Sequence, residues 1–318
     1  MSDQKYACAV VAVVVAFNRR DLVLESVKAV LAQTEPPSRV IVVDNASTDD
    51  TVETLRAQVE GIDILELDRN TGGAGGFAIG IAAAAEADPE WIWVMDDDTV
   101  PTPTALAALL SAAREAPADT DLLGSRVVWT DGDDHPMNTP RENPFASRDR
   151  RAVAAGAGAI DVRSSSFVSM LMRADAVRRV GLPIADYFIW NDDFEYSARL
   201  VRGRRGWAVP ASVVVHKTKV RGSTDADPGA RFFYEVRNKV WLMRFSRALS
   251  GWEKFVYGAS TARRWIRTLA KSSDRATLWS GLRRGLADGL RTRPAPNSRA
   301  LAGLGGASDA VTRLEASL

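Results

Sequence analysis

The chain has 318 residues, of which 46% are hydrophobic and 25% charged, with a net charge of +1. This composition excludes a disordered or fibrous chain and leaves room for one large α/β domain with an attachment, or two modest domains. The lone cysteine, Cys8, excludes an internal disulfide and reads as a small buried hydrophobe beside the first apolar run.

Ala7 to Phe17 is a continuous Val/Ala run, predicted as a strand buried on both faces in a parallel sheet. It is too short to span a bilayer, and lacks the basic lead and small-residue cleavage site of a signal peptide. Asp21–Gln33 has apolar residues at helical spacing, with Asp21 as the expected N-cap. Val40–Val43 is the second strand, Thr51–Val59 a helix and Ile62–Leu67 the third strand. Gly72–Gly76 is expected to form a glycine-rich turn into an alanine-rich helix, Phe77–Ala87. Trp91–Met95 is the fourth strand and ends at Asp96-Asp97-Asp98, and Thr104–Ala116 is another helix. Leu122–Trp129 is one more strand, and the polar stretch Asp131–Ala155 is expected to be a long loop. Phe167–Met172 and Trp207–His216 are strand-like around a short helix, Arg173–Val180. The alternation argues a mostly parallel, doubly wound α/β sheet. Arg231–Leu249 and Gly251–Ala270 are long, amphipathic and basic, and the last thirty or so residues read as a tail. From Arg231 onward there are 17 Lys+Arg against 6 Asp+Glu, which leaves the preceding residues at net −10. The expected division is therefore residues 1–225 as an α/β domain and 226–318 as a basic amphipathic helical region.

Five segments carry chemistry. Asp96, Asp97 and Asp98 follow a buried strand, where open α/β sheets bind ligands. Three adjacent carboxylates suit a hard divalent cation shared with phosphate oxygens, or else a solvated turn. Asp44, in Val42-Val43-Asp44-Asn45-Ala46-Ser47-Thr48-Asp49, is placed to accept from a base imide or a ribose hydroxyl, unless the segment is only a capping turn through Ser47 or Thr48. Arg69-Asn70-Thr71-Gly72-Gly73 opens a glycine-rich stretch that allows close approach of a diphosphate to a helix N-terminus. Asp193, in Trp190-Asn191-Asp192-Asp193-Phe194-Glu195, is a candidate general base whose pKa Asp192 and Glu195 would raise, or simply part of an acidic helix start. Trp190 offers a face to a sugar ring or fills a core. His216 is either structural or a metal ligand.

In this order, Phe17-Asn18-Arg19, Val42 to Asp49, Asn70 to Gly76, Asp96 to Asp98 and Asp192-Asp193 resemble the motifs of glycosyltransferase family 2 over roughly residues 7–220. Asn70-Thr71-Gly72-Gly73-Ala74-Gly75-Gly76-Phe77, the acidic segment, and Asp227-Pro228-Gly229 with Arg237-Asn238 are most similar to bacterial galactofuranosyltransferases, nearest those that initiate actinobacterial cell-wall galactan. The resemblance implies a GT-A fold and an inverting, metal-dependent transfer. The donor would be UDP-galactofuranose and the acceptor a polyprenyl-diphosphate-linked glycan, with a dTDP-rhamnose-using rhamnosyltransferase as the alternative. It implies donor contacts from Phe17, Arg19, Asp44, Asn70, Gly72, Gly73, Asp96 and Asp97. It implies a Mn²⁺ or Mg²⁺ ion on Asp96, Asp98 and His216, Asp193 as the base, and acceptor contacts from Trp190 and Asp192. Ala16-Phe17 departs from the Thr many members carry there, which implies different contacts to the base. A sugar-nucleotide-binding scaffold without turnover is the non-enzyme alternative, and the retained Asp96, Asp98 and Asp193 argue against it. Trp252, Phe255, Tyr257, Trp265 and Ile266, interspersed with Lys254, Arg263, Arg264 and Arg267, suit the face of a membrane, or else pack on the core or on a second subunit. The expected location is cytoplasmic, peripheral on the inner face of the plasma membrane, with no nucleic-acid partner.

Overall fold

The computed structural model describes residues 9–138, 140, 142–218 and 227–317; Cys8 and the boundary expected after Asp225 lie outside them. Strands and helices alternate through β1 (Val10–Ala16), α1 (Arg20–Leu31), β2 (Arg39–Asp44), α2 (Thr51–Gln58), β3 (Ile62–Glu66), α3 (Gly72–Glu86), β4 (Trp91–Asp96) and β5 (Thr99–Pro101). They continue with α4 (Ala105–Glu115), β6 (Thr120–Val128), α5 (Arg148–Gly156), β7 (Ile160–Asp161), β8 (Met170–Arg173), α6 (Ala174–Val180), α7 (Asp192–Leu200) and β9 (Arg205–His216). Four longer or shorter helices follow before the last: α8 (Phe232–Phe245), α9 (Gly251–Lys271), α10 (Arg275–Arg291), α11 (Asn297–Ala300), and then α12 (Gly306–Ala316).

The strands form one mixed sheet in the order β3-β2-β1-β4-β8-β6-β9-β5, with β7 on β9. Strands β3, β2, β1 and β4 are a parallel block, and β8 runs antiparallel between β4 and β6. Strand β1 is buried along its whole length because it is covered on both faces. Val11, Val13 and Val15 join the core beneath α3, while Val10, Ala12, Val14 and Ala16 join the core with Val23 and Val27 of α1. The two-residue period of a strand thus feeds two cores from one continuous apolar run.

The glycine-rich segment is not a turn before a helix but the first turns of α3 itself. Gly76 and Gly80, four residues apart on one face, lie against β1: a Cβ would stand 2.6 Å from Val15 at Gly76 and 2.4 Å from Val13 at Gly80. Glycine is required there for helix–strand contact, which offsets its poor helix propensity. Asp21 does not cap α1, which begins at Arg20 without a side-chain cap. The polar stretch expected as a loop contains α5, capped by Ser147 and pinned by Arg150 to the buried carboxylate of Asp161 at 3.0 Å. Its surface is too polar for an apolar period to reveal it.

The last thirty or so residues, expected as a tail, hold the end of α10 and the helices α11 and α12, and most of α10 precedes them. Gly281, Gly285 and Gly289 of α10 face α8, where a Cβ at Gly285 would lie 2.8 Å from Val236 and one at Gly289 2.7 Å from Val240. These glycines are the stripe that lets the two helices approach. Leu301, Val311 and Leu314 enter the same core as Phe77 and Ile81 of α3. That covering explains why α3 is apolar nearly all round.

Candidate active site

The site lies at the carboxyl ends of β1, β2 and β4. Asp96 ends β4, and the chain turns through Asp97 and Asp98 into β5, which pairs antiparallel with β9 so that Thr99 stands opposite His216. This register brings His216 to Asp98, with Nε2 3.1 Å from Oδ1. One ligand atom from each of Asp96, Asp98 and His216 lies within 4.8 Å of the others. Two carboxylates and an imidazole converging this closely fit a borderline or hard divalent cation. Asn138 sets the ring: its Oδ1 is 3.0 Å from His216 Nδ1, which leaves Nε2 directed at the carboxylates.

Arg19 Nη1 reaches Asp97 Oδ1 at 3.1 Å and also pairs with Asp98, while the Phe17 amide donates to Asp97 Oδ2 at 3.0 Å. The Phe-x-Arg turn and the acidic triplet are therefore one unit. Burial and the neighbouring carboxylates hold Asp96 well above the usual range. Burial pushes Asp97 up to about 6 against the opposing pull of Arg19. Burial raises Asp98 as well, but the hydrogen bond and charge of His216, with Arg19, outweigh it and leave Asp98 below its ordinary value.

Asp44 ends β2 and is buried. Its Oδ2 accepts from the Ser47 amide at 2.9 Å, whereas its Oδ1 is buried without a hydrogen-bond partner among the described residues. An unpartnered buried carboxylate oxygen is costly, and a ligand N–H or O–H would satisfy it. Ser47 and Thr48 do not cap α2. Ser47 Oγ accepts from the Asn18 amide at 2.9 Å, and the Thr48 amide donates to Asn18 Oδ1 at 2.7 Å, so both tie β2 to the Phe17 turn.

Asn45, which carried no role in the sequence, joins this turn to α3. Its Nδ2 donates to Gly72 O and its Oδ1 accepts from the Thr71 amide, both at 2.8 Å. Asn70 Oδ1 accepts from the Gly72 amide at 2.7 Å. Gly72 has φ +72°, and a Cβ there would fall 2.0 Å from the carbonyl oxygen of Phe188. Gly73 has open space around its Cα. The glycine stretch thus admits the loop that carries the acidic motif.

That loop is strained, with Phe188, Trp190 and Asn191 at φ of 64°, 69° and 66°. It is held from behind. Asn238 of α8 donates through Nδ2 to the carbonyls of Tyr187, Ile189 and Trp190, each at 2.9 Å, and Arg237 donates to Asp186 O at 2.7 Å. Asn297 accepts from the Ala185 amide and donates to Pro183 O, both at 2.8 Å, while the Ala295 amide donates to Asp186 Oδ2 at 2.7 Å. Such contacts span more than a hundred residues, and local patterns do not reveal them.

Asp192 and Asp193 open α7. Asp193 lines a cavity of about 470 Å³ with Asn138, Ser166, Lys239, Arg263 and Arg267 among others; Trp190 and Asp192 are not on its lining. Burial first, then Asp193 and Glu195, pushes Asp192 up to about 8. Burial also raises Asp193, opposed by hydrogen bonds from Phe194 and Ser166 and the charge of Lys239. The elevation of Asp193 is thus a burial effect more than the neighbour repulsion expected from its sequence. Glu195 is committed elsewhere, to Arg199 at 2.9 Å and Ser246 at 2.7 Å.

Comparison with known proteins agrees with this arrangement. Residues 11–181 match the profile of glycosyl transferase family 2. The chain is 33% identical over 208 residues to galactofuranosyltransferase GlfT1 of Mycolicibacterium smegmatis, covering 64% of this chain and 67% of the relative. Among solved structures, S. aureus TarS 1-349 in complex with UDP-GlcNAc superposes with a TM-score of 0.60 at 16% identity, covering 97% and 88% of the two chains. The mannosyltransferase PcManGT from Pyrobaculum calidifontis, in complex with GDP-Man and Mn²⁺, gives a TM-score of 0.54 at 18% identity over 98% and 86%. The fold is the mixed α/β GT-A fold with a helical C-terminal extension.

Proposed function

The chain belongs to glycosyltransferase family 2 and is a sugar-nucleotide-dependent transferase, and on that premise we propose that it moves galactofuranose from UDP-galactofuranose to a lipid-linked glycan with inversion. The observation that carries the reading is the pairing of a half-buried carboxylate with a raised pKa on a cavity wall, Asp193, with the Asp96–Asp98–His216 cluster. The named galactofuranosyltransferase relative supports the choice of sugar.

Asp44 takes the uracil imide or a ribose hydroxyl on its free Oδ1, and Phe17, Asn70, Gly72 and Gly73 bound the nucleotide's path. Arg19, held on Asp97 and Asp98, faces the donor phosphates from the rim of the acidic triplet. Asp96, Asp98 and His216 would hold a Mn²⁺ or Mg²⁺ ion, which supplies positive charge to a leaving diphosphate. Asp193 accepts the proton of the attacking hydroxyl from within the cavity. Asp192, its pKa pushed up to about 8, adds little second negative charge near neutrality, and it and Trp190 meet the acceptor outside the Asp193 cavity, whose lining they do not share. Inversion needs only this one base.

We place the enzyme peripherally on the cytoplasmic face of the plasma membrane. Among the described residues no helix is long and apolar enough to cross a membrane. The test is turnover of UDP-galactofuranose, dTDP-rhamnose and UDP-galactopyranose with and without Mn²⁺, in the native protein and in Asp193→Asn. Metal-dependent use of UDP-galactofuranose is expected. Asp193→Asn should lose transfer by about 10³-fold or more and keep donor binding. Preference for another donor refutes the sugar, and strong residual turnover in Asp193→Asn removes that residue as base.

A further inference from the structure

Helix α9 carries two features that the reaction just described leaves unused. The first is an exposed apolar stripe: Trp252, Phe255, Ala259, Ala262 and Ile266 recur at helical spacing on one face. Trp252, Phe255 and Ile266 are 65%, 68% and 69% exposed, and the first two stack ring on ring at 5.7 Å. The second is an unbalanced charge along the edge of that stripe. Arg263 and Arg267, one helical turn apart, line the cavity that holds Asp193.

Charges in the cavity otherwise cancel. Lys239 lies close enough to Asp193 to lower its pKa, and rests over the Phe194 ring at 4.5 Å. Arg264 is paired with Glu235. Arg263 and Arg267 have no ion pair or hydrogen bond among the described residues. Two uncompensated guanidinium groups thus face a concavity next to the base, where an anion is held by charge-assisted, bidentate hydrogen bonds.

We propose that Arg263 and Arg267 are the phosphate subsite for the acceptor, and that the apolar chain of the same molecule runs along Trp252, Phe255 and Ile266. The ligand class is an amphiphile in which a phosphate or diphosphate joins a sugar to a hydrocarbon. The sugar end enters the cavity toward Asp193, the phosphates stop at its basic rim, and the hydrocarbon leaves over the stripe. This rests on the reading of the Asp193 cavity as the acceptor site, and it adds what recognises the acceptor and which way it points.

The test uses the full chain in EDTA, without donor, so that it does not depend on turnover. Binding of farnesyl diphosphate, farnesol and inorganic pyrophosphate is followed by calorimetry, with excess UDP added as competitor. Farnesyl diphosphate should bind at least tenfold more tightly than either fragment, and UDP should not displace it. The double variant Arg263→Gln/Arg267→Gln should weaken it tenfold or more while UDP binding with Mn²⁺ is unchanged. Phe255→Ser should weaken it without affecting pyrophosphate. Both sites are exposed, and an unchanged melting temperature excludes misfolding as the cause. Equal binding by the double variant, displacement by UDP, or no gain over farnesol overturns the subsite. So does an arginine effect seen only as loss of binding to vesicles containing phosphatidylglycerol, which assigns the charge to lipid headgroups. Arginine-dependent diphosphate binding in a chain that turns over no nucleotide sugar supports the subsite and refutes the transferase reading above.

Discussion

Asn238 is the residue whose removal should separate the positioning of the base from the rest of the machinery. Its side chain is fully buried, and its two N–H groups are shared among the carbonyls of Tyr187, Ile189 and Trp190 at 2.9 Å. In Asn238→Leu the volume is kept and the donors are lost. Each of the three hydrogen bonds contributes about 0.5–1.5 kcal/mol net, so a loss of about 1.5–4.5 kcal/mol is expected, toward the upper end because the carbonyls are left orphaned. For a chain of this size that is roughly 2–7 °C in melting temperature. The larger consequence is kinetic. Phe188, Trp190 and Asn191 sit in left-handed conformations that cost about 1–3 kcal/mol each, and they relax once the clamp is gone. Asp193 follows within two residues, and a displacement of about 1 Å at a base lowers the rate about 100-fold. The assay is sugar transfer at saturating donor, alongside UDP binding with Mn²⁺ and a thermal melt. Transfer should fall about 100-fold, donor affinity should stay within about twofold, and the melt should drop as stated. Unchanged transfer in a destabilised protein would mean that the loop is held without Asn238. Equal losses in donor binding and transfer would mean that its effect is not confined to the base.

Asn138→Leu should loosen His216 and lower Mn²⁺ affinity about 10–100-fold by calorimetry, with the fold intact; unaltered affinity would remove His216 or its orienting partner from the metal site. Glu253, which pairs with Arg163 at 2.7 Å, is held at about 2 against an ordinary 4.5, because that hydrogen bond and the one from Ser250 outweigh its burial. Its contribution is therefore complete above pH 4.5 and lost as the pH falls toward 2. The stability gap between the native protein and Glu253→Gln, read by urea denaturation, should be flat from pH 7 to 5 and narrow below that. A gap that widens on acidification would contradict the pairing. Gly80→Val should prevent close packing of α3 on Val13 and yield little folded protein, as judged by its urea transition.

Short patterns made much of this site legible. Val42 to Asp49, Asn70 to Gly76 and Asp96 to Asp98 each sit at the end of a strand or the start of a helix, so neighbours in sequence are neighbours in space. The residues alone leave His216 between a structural role and a metal ligand, and only the resemblance chooses, because its approach to Asp98 depends on how β5 registers with β9. Asn45, Asn138 and Asn297 were not singled out. Each is a single amide whose partners lie far away in the chain, and no local period marks such a residue. Asn238 was matched to relatives without a role, for the same reason. Most of α10 carries no predicted element, and its glycines are the reason. Their low helix propensity and missing side chains hide an apolar face, yet the absence of a Cβ is what seats that helix on α8.

The clasp of Ala295 and Asn297 on Ala185, Asp186 and Pro183 also sets an order of events during synthesis. A ribosome delivers the acidic motif more than a hundred residues before the amides that fasten its approach. The parallel block can form from local βαβ units and Asn238 of α8 reaches the loop next, so the clasp of Ala295 and Asn297 is the last of its anchors to be made. The approach to the catalytic loop is thus fastened last, by residues made after both the sheet and the clamp behind the loop.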